Sequence, residues 1–193
     1  IVSGLQKILE DIEAGEVEFR TDAEDIHMNV ETLLIERIGE AGKRLHTARS
    51  RNDQIALDMR MYMKESIRSN LMELCRLETA LLDSAEAHLH TVMPGYTHLQ
   101  KAQPITLAHH LLAYVEMFSR DRSRLRDCYE RTNVLPLGSG ALATSTYPLD
   151  TGSVARELGL STIRGTSLSA VSDRDSCIEY CACASITMMH LSR

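Results

Sequence analysis

Apolar residues recur at three- and four-residue spacing through most of the chain. Ile1, Leu5, Ile8, Leu9 and Ile12 set the pattern, and Gly15 ends the segment. Thr21-Asp22-Ala23-Glu24 reads as a capping box opening a second helix. Its apolar face runs Ile26, Val30, Leu33, Leu34 and Ile38, with Gly39 placed to terminate it. Neither segment alternates as a strand would. From 52 to 93 there is neither Gly nor Pro; as continuous helix that stretch reaches roughly 60 Å. Ile67, Leu71, Leu74, Leu77 and Leu81 form its seam. A second long helix is predicted over 106–131, with Leu107, Leu111, Tyr114, Phe118 and Leu125 on one side.

One chain of 193 residues can hardly cover both faces of helices this long, so the pattern predicts a bundle completed by other subunits. Residues 133–150, with Pro136, Gly138-Ser139-Gly140 and Pro148, read as an extended loop. A short helix is expected at 153–158, followed by a Gly/Ser/Thr-rich stretch. A final helix, capped by Ser172-Asp173-Arg174-Asp175, places Ile178, Cys181, Ala182, Ser185 and Met189 inward. The fold class is all-α.

Composition narrows the function. Aromatics are 4% with no Trp, so the core rests on Leu, Ile, Met and Ala, the vocabulary of helix packing. A net charge of −6 leaves no basic surface for nucleic acid. No run of about 18 apolar residues occurs, so no membrane-spanning helix is expected. The five cysteines are an odd number without framework spacing, which points to reduced thiols and a cytoplasmic setting. Cys177 and Cys181 lie one turn apart, but no convergent His or carboxylate accompanies them, so small buried side chains are favoured over a metal site. The absence of an initiator Met and the helical pattern running up to Arg193 suggest that both ends are cuts in a longer chain.

Three segments are rich in hydrogen-bonding side chains. His46-Thr47-Ala48-Arg49-Ser50-Arg51-Asn52-Asp53-Gln54 stands where the longest helix begins. There, free N–H groups, the helix dipole and two Arg favour an anion; a solvated cap fits about equally well. Pro94-Gly95-Tyr96-Thr97-His98-Leu99-Gln100-Lys101-Ala102-Gln103-Pro104 joins the two long helices. A His beside a Thr in a rigid connection offers a group titrating near neutrality and a hydroxyl to orient substrate, although a lone loop His is more often a surface residue. His88, His90, His109 and His110 read as bystanders. Gly138-Ser139-Gly140-Ala141-Leu142-Ala143 fits G-x-G-x-x-A but lacks the strand–helix context of a dinucleotide site. It reads instead as a close backbone approach to a neighbouring helix or to ligand. Glu24-Asp25-Ile26-His27 reads as a helix start, with capping as the plain account and a supporting role at the site as the sharper one.

Taken together, these segments resemble the argininosuccinate lyase family of the fumarase/aspartase superfamily. The His46-to-Gln54 block is similar to the family's first conserved block and the Gly95-to-Pro104 block to its second. Asn133-Val134-Leu135-Pro136-Leu137-Gly138-Ser139-Gly140-Ala141 and Glu24-Asp25-Ile26-His27 match further stretches. Ala48 stands where many members carry Gly, which matters if that position needs φ > 0. The third block, Gly-Ser-Ser-x-Met-Pro-x-Lys-x-Asn with the catalytic Ser, is absent, as is the N-terminal segment that supplies a substrate-binding Ser.

The resemblance implies an L-aspartase-like fold, with residues 1–50 in a small N-terminal helical domain and 51–193 in the first part of the central long-helix bundle. It implies reversible anti elimination of argininosuccinate to arginine and fumarate. In that reaction a base removes the proton beside a carboxylate, a dianionic aci-carboxylate forms, and an acid protonates the departing guanidino nitrogen. His98 would be one half of the acid/base pair, and Asn52 and Thr97 would bind substrate. Ser50, Arg51, Arg49, Gln103, Lys101 and His27 would support them. The family's homotetramer shares its sites between subunits and needs neither metal nor organic cofactor. A δ-crystallin-type structural homologue with little activity, or another lyase of the superfamily, is the alternative.

Overall fold

The computed structural model describes residues 1–163 and 165–193, with Thr162 and Ile163 as backbone only. The chain opens with α1 (Val2–Glu13) and α2 (Ile26–Ile38), packed where Gly4 leaves no room: a Cβ there would stand 2.7 Å from Leu34 Cδ1. The Thr21–Glu24 capping box is not used. Asp25 caps α2 instead, accepting the Met28 N–H at 2.7 Å, because residues 21–25 form turns and the helix starts only at Ile26. A 3-10 stretch, Gly39–His46, leads into α3 (Arg51–Ala87).

At 37 residues α3 spans about 55 Å, shorter than the Gly- and Pro-free stretch suggested. Beyond it the chain forms a hairpin of β1 (Val92–Thr97) and β2 (Gln100–Thr106), closed at its base where Leu107 N donates to Thr91 O. The connection expected to be a loop is therefore a β-ribbon. Its Val92↔Thr106 pairing takes over the backbone groups that continued helix would have used.

The return helix α4 (Leu107–Thr132) lies along α3. Their predicted seams meet: Ile67 and Leu74 pack with Phe118, Leu125 and Cys128, and Leu71, Leu77, Leu81 and Tyr114 close the sides. Buried Arg60 of α3 donates to the carbonyls of Arg131 and Thr132, 3.1 Å each, placing a cation at the end of α4. Then come β3 (Val134–Leu135), α5 (Thr151–Glu157), β4 (Thr162–Ile163, parallel to β3), α6 (Ser167–Ser172) and α7 (Asp175–Leu191). α6 falls inside the stretch read as irregular, where Ala170 buries against its surroundings.

The inward face of α7 is the reverse of the expected one. Ile178 is 73% exposed, and Cys181, Ala182, Ser185 and Met189 also face out; Ser176, Cys183 and His190 face in. The reason lies on α4, whose buried Asp121 accepts His190 Nδ1 at 2.6 Å and draws that side of the helix inward. Because α7 is apolar on several sides, periodicity could not choose between them. The Ser172–Asp175 cap is used differently too: Asp173 accepts the Asp175 N–H, and no side chain caps α7 itself. All five cysteines are free thiols. Among the described residues, no helix is long and apolar enough to cross a membrane.

Candidate functional site

The first polar block is folded into a dense network. Ser50 caps α3 and takes the Asn52 N–H at 3.2 Å, while Asp53 returns an oxygen to the Ser50 N–H at 2.9 Å. The capping alternative is thus realised, and donors of the first turn are occupied by the chain itself. Arg51 turns back to Asp25 (2.9 Å), Gln54 (2.7 Å) and Glu31 (3.7 Å), and His46 Nδ1 meets Glu31 at 3.0 Å. His27 Nε2 contacts Asp58 of α3, which joins the Glu24–His27 segment to the long helix.

Charge in this network is balanced locally. Burial pushes the Asp25 carboxyl up, but the Met28 N–H, Arg51 and His27 outweigh it and hold it below the usual carboxylate range. Burial lowers the Arg49 guanidinium, and its Nε lies buried without a hydrogen-bond partner among the described residues. Of the two arginines, Arg51 is committed to carboxylates, whereas Arg49 borders a small cleft with His27 and Gln54.

Asn52 remains exposed beside this network, its Nδ2 donating to Ala141 O at 3.3 Å. The Gly138–Ser139–Gly140 segment therefore makes the close backbone approach to a helix that its glycines suggested. Ala48 adopts φ 61, so the position where relatives of the resembled family carry Gly does need the left-handed region.

The second block occupies the far end of α3. Thr97 pairs with Gln100, leaving His98 and Leu99 as a two-residue turn with φ of 51 and 60. Both residues being left-handed is the type I′ geometry that continues the twist of the strands, usually filled by Asn or Gly. A His and a Leu there carry backbone strain of the kind found at functional sites. His98 is exposed, Leu99 is 95% exposed, and among the described residues no hydrogen bond holds the imidazole. Thr97, Lys101 and Gln103 stand exposed on the same ribbon. Beneath it a cleft of about 380 Å³ is lined by Thr97, Gln103, Ile105, His109 and His110.

The predicted site residues thus fall into two groups. Arg49, Ser50, Arg51, Asn52 and His27 gather at one end of α3; Thr97, His98, Lys101 and Gln103 gather at the other. The 37 residues of α3, about 55 Å of helix, lie between them. They cannot enclose one small molecule within a single chain. Sequence reasoning missed the carboxylates Glu31 and Asp58, which lie on helix faces with no local motif to mark them.

A family model described as Lyase matches residues 1–193. The chain belongs to that lyase family. Its motif resemblance to the argininosuccinate lyases is borne out by curated relatives bearing that name. Those from Heliobacterium mobile and Moorella thermoacetica are each 63% identical over 193 residues, covering 100% of this chain. The chain spans 42% of the length of these relatives. Among solved structures, a crystal structure of EDDS lyase in complex with formate superposes with a TM-score of 0.90 at 30% identity, covering 100% of this chain and 38% of that one. An EDDS lyase variant with bound fumarate superposes with a TM-score of 0.89. The all-α, L-aspartase-like expectation holds for the fold of this chain, with the two small β elements as its amendment.

Proposed function

We propose that this chain is part of an argininosuccinate lyase and supplies two separate pieces of its active site. The observation that carries the reading is the partition along α3: both motif blocks are present, yet about 55 Å of helix divides them. A site using both must combine different copies of the chain. This supports a homo-oligomer with shared sites, a homotetramer in the family it resembles. The exposed apolar side chains of α7 and the length of α3 agree with a bundle that other subunits complete.

In this reading Asn52 and Thr97 hold the substrate, and His98 exchanges a proton with it. The partner Ser lies in the third block, which this chain does not contain. Arg49, Ser50, Arg51, Lys101, Gln103 and His27 support the bound carboxylates or shape the segments that bind them. Such preorganised donors stabilise the extra negative charge of the aci-carboxylate. Residues 1–50 form part of an N-terminal helical domain, residues 51–193 part of the bundle, and the protein works in the cytoplasm without metal or organic cofactor.

The direct test is fumarate release from argininosuccinate, followed by ultraviolet absorbance, with a full-length protein carrying this sequence. Turnover is expected from that protein and none from the 193-residue piece alone. A full-length protein that assembles but does not turn over would point to the crystallin-like alternative.

A further inference from the structure

Asp53 is a charged side chain with 0% exposure, and helix capping accounts for only half of it. Its Oδ1 completes the capping box with the Ser50 N–H at 2.9 Å. Its Oδ2 accepts two further backbone groups, Gly140 N at 2.8 Å and Gly138 N at 3.2 Å. A buried carboxylate is costly unless such donors replace its water, and here three N–H groups do so. The loop closes tightly around it. Gly138 and Gly140 have φ of 99 and 61, and a Cβ on either would stand 2.5 Å from an atom of Thr151 or Thr144.

The same loop then returns a contact to the residue before Asp53. Ala141 O accepts Asn52 Nδ2 at 3.3 Å, and no hydrogen bond occupies Asn52 Oδ1 among the described residues. We propose that Asp53 is a positioning residue of the lyase site: it anchors the 138–141 loop so that the Ala141 carbonyl orients the Asn52 amide toward substrate. The proposal rests on the reading of Asn52 as a substrate-binding residue.

The test is a double-mutant cycle in the full-length protein with Asp53→Asn, Asn52→Ala and the pair, reading KM, kcat and thermal unfolding. Asp53→Asn is expected to raise KM roughly tenfold, about the worth of one well-placed hydrogen bond, with a smaller change in kcat. In the Asn52→Ala background the same change is expected to leave KM where it is. Equal KM effects in both backgrounds, or a lowered unfolding temperature with KM untouched, would overturn the proposal and leave Asp53 a structural cap. If Asn52→Ala alone alters neither constant, the substrate-binding reading of Asn52 fails first. Should Asp53→Asn not assemble, Gly140→Ala releases the loop with Asp53 in place, and the same dependence on Asn52 is expected of it.

Discussion

The two ends of α3 are built on opposite principles. At its start, Arg51, His46, His27, Asp25, Glu31 and Asp58 bond one another, and Asp53 clasps a loop from 85 residues further along. Asn52 is mounted on a structure that the chain completes by itself. At the other end His98 and Leu99 sit at the tip of a bare ribbon, both in left-handed backbone, without a side-chain bond to steady the imidazole. Preorganisation at the first end comes from hydrogen bonds and burial. At the second it comes from turn geometry alone, until another surface covers the tip. A shared site would therefore join a finished cradle on one copy to an unfinished projection on another.

The largest effect should come from the unfinished end. In a full-length protein, His98→Asn is expected to reduce kcat by about two to four orders of magnitude, the usual range for a general acid or base. An unchanged rate would remove His98 from the chemistry. The contrast itself is broken or kept by mixing subunits. His98→Asn and Asn52→Ala proteins, the one impaired in kcat and the other in KM, should together reach about a quarter of parental turnover at substrate below KM after joint unfolding and reassembly in equal amounts, since some sites then draw both intact residues from different copies. No recovery in a mixture that co-assembles would put both residues in one copy and contradict the separation along α3.

Smaller effects should appear in stability at the finished end. Gly140→Ala forces a side chain into φ 61 and against the Thr144 carbonyl. It should cost about 1–3 kcal/mol in chemical unfolding. Ala48→Gly acts in the other direction, because Ala48 already occupies φ 61. Removing its Cβ should stabilise the protein by up to about 1 kcal/mol, seen as a higher unfolding midpoint with unchanged activity. A loss of stability there would mean that unfolded-chain entropy outweighs the relief of strain.

Much of the fold was legible because helix seams are local. Ile67, Leu74, Phe118 and Leu125 marked the seams of the two long helices through spacing alone, and in the structure they form the core of the α3–α4 contact. α7 was misread because its sides are similarly apolar; its orientation depends on Asp121, a residue on another helix. The candidate chemistry was legible as text, in the Arg49-to-Gln54 and Gly95-to-Pro104 blocks. What those residues do structurally was not. Asp53 looked like a cap, since its glycine partners lie 85 and 87 residues away. The ribbon holding His98 looked like a loop, because two prolines and few β-branched residues conceal a strand.

By itself the sequence determined what short-range physics can express: helical periods, the weakly aromatic composition, and two polar blocks similar to those of a known family. Only the tertiary structure decided which side of α7 faces in, that Ala48 occupies a glycine's conformation, and that Asp53 binds a distant loop. It also decided that Asn52 and His98 stand at opposite ends of one rigid helix. The reason is that periodicity and motifs encode neighbours along the chain, whereas orientation, strain and separation are set by partners distant in sequence.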